Sequence, residues 1–169
     1  YRTIEGLSAV AESFDHFLIN QFGVLHDGVK PYRGTVECLA NLKARDKRVV
    51  LLSNSGKRAV SNIARLADLG FPRELFDDVV TSGEVAWQGI SDRSFGAPFV
   101  PGASIFVVGH DDHDYGFEKL GMKLVEDPAA ADFVMIAASR APKLSLDDYS
   151  KILGDAAVMD IPALCCNPD

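Results

Sequence analysis

Three short apolar runs alternate with two amphipathic segments in the first half of the chain, and this alternation restricts the fold more than any other feature. The runs cover residues 17–19, 49–52 and 79–81. Continuous apolar runs of this length are typical of strands buried on both faces of a parallel sheet. Between them, residues 35–45 and 60–67 repeat apolar side chains at helical spacing. This order predicts an α/β fold with a doubly wound sheet.

The second half of the chain repeats the pattern with different turn residues. Strands are predicted at residues 105–108, 123–125, 132–137 and 163–166, and helices at residues 84–90 and 145–157. Another helix is expected to end at Gly121. Ser145 is the predicted N-cap of the helix that follows it, because a serine side chain accepts a hydrogen bond from the first turn.

Composition excludes several classes of function. The chain has 169 residues, 47% of them apolar, and a net charge of −7. This size and composition are typical of a globular domain. The negative charge argues against nucleic acid as a partner. No apolar run reaches 18 residues, so no membrane span is expected. The three cysteines lack the spacing of a disulfide framework or zinc site, and the start does not resemble a secretory signal, which favours a cytoplasmic protein.

The loop after the first predicted strand carries the features of a ligand site. The strand ends on the small polar residue Asn20. Gly23 permits a tight turn, and Asp27-Gly28 is a hairpin signal. In open α/β sheets, ligands bind just beyond the carboxyl ends of the strands. The sequence therefore places Asn20 at a candidate binding site.

The segment from residue 17 to Gly28 resembles the first motif of the haloacid dehalogenase (HAD) superfamily of phosphatases, in its NagD-like class IIA branch. In that family an aspartate at the position of Asn20 attacks the substrate phosphorus. A carboxamide is a poor nucleophile and does not readily form the aspartyl-phosphate that this route needs. The resemblance therefore implies a phosphatase fold with impaired chemistry in this chain.

The resemblance covers nearly the whole chain and implies its domain organisation. Residues 1–82 are expected to form the N-terminal part of a doubly wound Rossmannoid core, and residues 83–166 an inserted α/β cap domain. The Asn-Pro-Asp stretch at residues 167–169 resembles the return from cap to core. In the family a lysine motif and a second acidic motif follow this return, and the sequence contains neither after it, so the chain resembles the first part of a longer phosphatase. A homodimer formed through the cap is compatible with this resemblance.

The resemblance implies Mg²⁺ as the cofactor, held by the Asn20 side chain and the backbone carbonyl of Phe22. Magnesium prefers oxygen ligands, and an amide oxygen is a weaker ligand than a carboxylate. The structural alternative is that Asn20 ends its strand by hydrogen-bonding to nearby backbone. Phe22 also stands where the wider superfamily has an aspartate that transfers protons, which a phenyl ring cannot do. Asp27 or His26 could replace that aspartate, but hairpin geometry alone explains both residues, and we favour that explanation.

Ser53-Asn54, which follows the second predicted strand, resembles the second motif of the family. A hydroxyl at the end of a strand, followed by the free amides of a helix start, suits a phosphate oxygen. An ordinary helix cap is the alternative. The resemblance implies that Phe22, Gly23 and Asp169 also lie at the substrate phosphate.

Two charged stretches allow other interpretations. Residues 110–114 contain two histidines and three aspartates after an apolar run. This pattern is similar to the second acidic, metal-binding motif of the family. On that interpretation the chain would be a complete phosphatase without a cap domain. No lysine motif lies between residues 82 and 105, so we favour an acidic helix N-terminus there. Lys57 and Arg58 follow the second motif, where one could reach an anionic substrate, although such side chains are more often solvated.

The predicted function is a magnesium-dependent phosphatase of small phosphorylated metabolites, of the sugar phosphate or nucleotide type, acting by the aspartyl-phosphate route. Asn20 is expected to impair this activity. The alternative is a non-catalytic module that binds a phosphate ligand, in which Asn20 removes one negative charge from the site. A structural interaction domain is the third hypothesis, and it predicts no phosphate beside Asn20 and Ser53.

Overall fold

The computed structural model describes residues 3–110 and 114–166, and its internal contacts divide the chain into two compact units. The first unit comprises Tyr1–Ser53 and Ala59–Val80, and the second comprises Asn54–Arg58 and Thr81–Asp169. The assignment of residues 1–82 and 83–166 to a core and a cap remains a prediction. Among the described helices, none has the length and apolar character needed to cross a membrane.

The first unit contains a three-stranded sheet in the order β1-β2-β3, with β1 and β2 parallel. Its elements are β1 (His16–Asn20), α1 (Thr35–Lys43), β2 (Arg48–Ser53), α2 (Ala59–Asp68) and β3 (Asp78–Thr81). Each predicted apolar run lies within an observed strand, and both predicted helices are present. The predicted alternation of strands and helices is therefore confirmed.

The core of the first unit is formed by apolar side chains from the sheet and from both helices. Val49 and Leu51 of β2 are fully buried, and Leu39 of α1 and Leu66 of α2 are each 1% exposed. Along β1 the burial alternates, because successive side chains of a strand point to opposite faces. Leu18 is 70% exposed, while Phe17 is only 9% exposed, so the prediction that this run is buried on both faces is wrong for β1. The carboxyl ends of β1 and β2 are thus held by a packed core.

The second unit contains a four-stranded parallel sheet in the order β5-β4-β6-β7. Its elements are α3 (Ser82–Ser91), β4 (Ser104–Val108), β5 (Lys123–Leu124), β6 (Phe133–Ile136), α4 (Leu146–Val158) and β7 (Ala163–Cys165). Ser145 caps α4 as predicted, in a capping box with Asp148. These strands and helices match the predicted ones within two residues.

The predicted helix that ends at Gly121 is wrong, because the structure has only a four-residue 3-10 turn, Phe117–Leu120. Gly116 and Gly121 adopt left-handed conformations at its two ends, with φ of 74° and 65°, so the turn cannot extend into an α-helix. The predicted acidic helix N-terminus at residues 110–114 is also absent from its described part. There, Asp114 accepts a hydrogen bond from the Gly116 amide at 2.6 Å, and residues 111–113 lie outside the described residues.

Candidate functional site

The carboxyl ends of β1 and β2 bring two of the predicted site residues to one edge of the sheet. In the parallel register, Asn20 lies opposite Leu52, and Ser53 is the next residue of β2. The Asn20 side chain is exposed, while Ser53 is half-buried. Because ligands of open α/β sheets bind beyond this edge, the arrangement fits a small-molecule site.

The loop after β1 is shaped chiefly by its own backbone. The carbonyl of Gln21 accepts hydrogen bonds from the amides of Val24, Leu25 and His26, with the Leu25 bond at 2.8 Å. Gly23 donates its amide to the His26 carbonyl at 2.9 Å. The φ of Gly23 is +78°, a conformation that other residues rarely adopt. A tight turn therefore follows Asn20 directly.

The side chain of Asn20 closes onto this turn. Its Nδ2 group donates a hydrogen bond to the carbonyl oxygen of Phe22 at 3.1 Å. The structure thus contains the contact of the structural alternative, in which Asn20 hydrogen-bonds to nearby backbone. The two groups expected to share a metal ion are joined instead by an N–H donor.

The donors in this loop do not fit Mg²⁺. The ion requires several oxygen ligands, with carboxylates as the usual protein contribution. The two groups expected to hold the ion are both uncharged, and the Phe22 carbonyl already accepts the Asn20 amide. In the part of the chain that the structure describes, no group of three or more His, Cys, Asp and Glu side chains could hold a metal ion.

His26 is a buried element of the loop. It is 8% exposed, and its Nδ1 accepts the amide of Gly28 at 3.1 Å. Burial lowers the pKa of His26 below its usual value, and the positive charge of Arg65 lowers it further, while Asp27 opposes both effects. The imidazole is therefore a neutral hydrogen-bond acceptor that holds the turn.

Asp27 has a structural task of its own. Its Oδ1 accepts the amides of Lys30 at 2.8 Å and Val29 at 2.9 Å. These two bonds lower the pKa of the Asp27 carboxyl, so the group is ionised at neutral pH. The predicted hairpin is reduced to one antiparallel bridge between His26 and Pro31. The geometry of the turn is a sufficient explanation for both His26 and Asp27.

The segment that follows β2, residues 54–58, is fixed by side chains of the second unit. Arg58 forms two hydrogen bonds to the Glu84 carboxylate, at 2.7 and 2.9 Å, and both side chains are 18% exposed. The guanidinium carbon lies 3.7 Å from the ring centroid of Trp87. Trp87 in turn donates its indole N–H to the Gly116 carbonyl at 2.9 Å. Arg58 is therefore a packed structural residue and not a solvated cation.

Two glycines allow this segment to approach its neighbours. A Cβ atom on Gly83 would lie 1.9 Å from the carbonyl oxygen of Gly56, and one on Gly56 would lie 2.0 Å from that of Ala137. Thr81 donates its hydroxyl to the Lys57 carbonyl at 2.6 Å and accepts the Glu84 amide at 2.9 Å. These contacts hold the backbone of residues 54–58 close to the start of α3 and to Ala137.

The predicted site residues fall into three groups. Asn20, Phe22, Gly23 and Ser53 belong to the first unit, and Asn54 belongs to the second. Asp169 lies outside the described residues. The parallel register places Asn20 beside the end of β2, where Ser53 lies, and Phe22 and Gly23 follow Asn20 in the turn.

Sequence reasoning missed Gln21. This side chain is 4% exposed, and its Nε2 has no hydrogen-bond partner in the described part of the chain. Gln21 extends the buried face of β1 that begins with Phe17 and Ile19, so strand periodicity could have identified it as a buried polar residue. Glu84 and Trp87 were also missed, because nothing local in the sequence links them to Arg58.

The comparison with protein families identifies the class of protein to which the chain belongs. A profile of the haloacid dehalogenase-like hydrolases matches residues 17–123. The chain belongs to this family. The match begins in β1 and includes both the Asn20 loop and Ser53-Asn54, so the resemblance drawn from these motifs is confirmed. No curated protein sequence matches significantly.

Solved structures show the same fold. A haloacid dehalogenase-like hydrolase from Brucella suis is 25% identical, with a TM-score of 0.83, over 98% of this chain and 60% of its own length. A p-nitrophenyl phosphatase from Archaeoglobus fulgidus is 24% identical, with a TM-score of 0.65, over 92% of this chain and 56% of its own. A glycerol phosphate phosphatase from Mycobacterium tuberculosis, crystallised with magnesium, is 24% identical, with a TM-score of 0.64, over 95% and 46%. The chain thus spans less than two thirds of each relative, and the α/β HAD-like Rossmannoid fold is confirmed.

Proposed function

We propose that the chain is part of a HAD-like phosphatase acting on small phosphorylated metabolites, and that Asn20 impairs turnover. The observation that carries the proposal is the position of Asn20 and Ser53 at the carboxyl ends of two adjacent parallel strands. Family membership supports it, and two relatives of the same fold are named as phosphatases. The substrate class of sugar phosphate or nucleotide type is part of this proposal.

The phosphate group of the substrate is proposed to lie beside Ser53 and the turn that contains Phe22 and Gly23. Asn54 and Asp169 are further proposed contacts. The Ser53 hydroxyl suits a phosphate oxygen, because a hydroxyl can donate a hydrogen bond. Support comes from the exposure of Asn20 and the partial exposure of Ser53, which leave this edge of the sheet accessible.

The chemistry requires a carboxylate where this chain has Asn20. An aspartate could attack phosphorus and carry the phosphoryl group, whereas the neutral amide is a poor nucleophile. Magnesium dependence is therefore proposed for the Asn20→Asp form, with the carboxylate and the Phe22 carbonyl as ligands. A relative of this fold crystallised with magnesium supports that assignment.

A second candidate function is a non-catalytic module that binds a phosphate ligand. It is favoured by the hydrogen bond between Asn20 and the Phe22 carbonyl, which orders the loop without any charged group. In both candidates the partner is a small phosphorylated molecule and not a nucleic acid, in keeping with a net charge of −7. A cytoplasmic location is also proposed, supported by the three free cysteines. A homodimer through residues 83–166 stays a prediction.

The test is hydrolysis of p-nitrophenyl phosphate with Mg²⁺ by the full reading frame that contains residues 1–169. The unmodified protein is compared with Asn20→Asp and with Asn41→Asp, which makes the same chemical change on the exposed side of α1. We expect turnover at least about 10³-fold higher in Asn20→Asp alone, as for other losses of a nucleophile. Equal activity of the three proteins would contradict the role of Asn20. Silence in all three, with phosphate still bound, would favour the binding module.

A further inference from the structure

We propose that the Asn20 side-chain amide takes the place of a divalent cation in the loop after β1. This inference rests on the proposed function, because it concerns the same phosphate site, but its test uses neither phosphate nor turnover. The inference starts from the observation that the two groups expected to bind Mg²⁺ are uncharged and are joined to each other by a hydrogen bond.

The first step is the orientation of the amide. Nδ2 of Asn20 lies 3.1 Å from the carbonyl oxygen of Phe22, with the nitrogen donating. The reverse orientation would place Oδ1, a second acceptor, against that oxygen. Two partly negative oxygens at this distance repel each other unless a cation or proton lies between them. The N–H group of asparagine therefore supplies internally the positive partner that the Phe22 carbonyl needs.

The second step concerns charge. Residues 20–25 contain no ionisable side chain, so this stretch offers nothing to neutralise a bound dication. The nearest acidic residue in sequence, Asp27, uses Oδ1 to accept the amides of Val29 and Lys30. A hard cation bound through the neutral oxygens of an amide and a carbonyl loses much of its hydration and gains only weak electrostatic attraction in exchange. The loop is accordingly built to hold its shape without a metal ion.

The third step is the effect of a carboxylate at the same position. In Asn20→Asp, a negatively charged oxygen replaces the donor that faces the Phe22 carbonyl. The hydrogen bond is lost and two acceptors approach one another, so the loop opens or takes up a cation between them. The single exchange is thus predicted to convert a metal-independent loop into a metal-binding loop.

The experiment is thermal unfolding of the unmodified protein, Asn20→Asp, Asn20→Ala and the control Asn41→Asp, with a chelator and then with increasing Mg²⁺ or Ca²⁺. We expect Mg²⁺ to raise the Tm of Asn20→Asp by about 5 to 10 °C at a hundred times its Kd, as for one site in a chain of this size. The unmodified protein, Asn20→Ala and Asn41→Asp should stay within about 1 °C.

Three results would overturn the inference. An equal rise in the unmodified protein would show that asparagine does not replace the cation. No rise in any variant would show that this position does not govern metal binding. An equal rise in Asn41→Asp would assign the effect to general negative charge. Failure of the proposed phosphatase activity would leave these Tm values unchanged, so the two proposals fail separately.

Discussion

The two loops that follow β1 and β2 are stabilised in different ways. The loop of residues 20–28 is held mainly by short-range bonds, such as that from the Asn20 amide to the Phe22 carbonyl, two residues away, and Arg65 adds a distant bond to the Gly28 carbonyl. The segment of residues 54–58 is held by distant side chains, since Glu84 lies 26 residues from Arg58. The first loop presents exposed side chains, with Phe22 66% exposed, and the second contains an ion pair that is 18% exposed.

This difference separates the chemistry of the site from its rigidity. The chemical identity of the first loop rests on one exposed side chain, so the Asn20 exchange can alter function with little effect on folding. The second segment depends on close packing, so its residues are expected to alter stability before function. Glycine illustrates the contrast, because Gly23 is required for its backbone conformation and Gly83 for the space that it leaves.

The largest effect is expected for Gly83→Ala. The added methyl group would lie 1.9 Å from the Gly56 carbonyl oxygen, so backbone must move, and we expect a loss of about 3 kcal/mol in the free energy of unfolding. Gly23→Ala meets no atom within 4 Å and should lose only about 1 to 2 kcal/mol through its left-handed φ. Denaturant titration measures both.

A control for the helical glycine is Gly154→Ala in α4, where nothing lies within 4 Å of the added methyl group. Alanine in an open helix position is expected to stabilise by about 0.5 to 1 kcal/mol. If Gly83→Ala loses no more free energy of unfolding than Gly23→Ala, the claim that Gly83 is needed for space and Gly23 for backbone conformation is contradicted.

The next effect is expected for Arg58→Lys. Lysine keeps the charge but cannot form the paired bonds to Glu84 or stack on Trp87 in the same way, so we expect a loss of about 1 to 2 kcal/mol. The matched control is Arg45→Lys, because the pair of Arg45 and Glu12 is well exposed. That control should change stability by less than about 0.5 kcal/mol. Similar losses in both variants would show that the partly buried pair of Arg58 and Glu84 has no special role.

The smallest effect concerns pH. The pKa of His26 lies below its usual value of 6.5 in the folded protein, so the unfolded chain binds the proton more readily. The stabilisation of the folded protein by this pKa difference is fully present above pH 6.5, and it is lost as the pH falls through the pKa of His26 in the folded state. His26→Asn keeps an acceptor for the Gly28 amide but cannot titrate, so its Tm should fall less between pH 7 and pH 5. An equal fall of Tm in His26→Asn and in the unmodified protein would contradict this role of His26.

The sequence predicted the strands and helices well because each is encoded locally. The apolar runs of β1 and β2 and the helical spacing of α1 need no knowledge of distant residues. The sequence prediction of a helix before Gly121 used that terminal glycine but not the left-handed Gly116 at the start of the segment, which limits it to a four-residue turn. Local reasoning also predicted that Asn20 could hydrogen-bond to nearby backbone, and the structure contains such a bond to a partner two residues away.

Long-range contacts at the candidate site could not be predicted in the same way. The burial of Arg58 depends on Glu84 and Trp87, which a fold must first bring to it. Strand periodicity places Gln21 on the buried face of β1, but only the folded structure shows that its side-chain amide has no partner among the described residues. Where the site residues touch substrate stays a prediction, and so does the division into core and cap.

The most direct test of the central claim is a calorimetric titration of inorganic phosphate into the unmodified protein, once with a chelator and once with excess Mg²⁺. The account predicts the same Kd in both solutions, within about twofold, because the Asn20 amide already satisfies the Phe22 carbonyl. A Kd about tenfold lower or more with Mg²⁺ would show that a metal ion still completes the site, and would contradict the account.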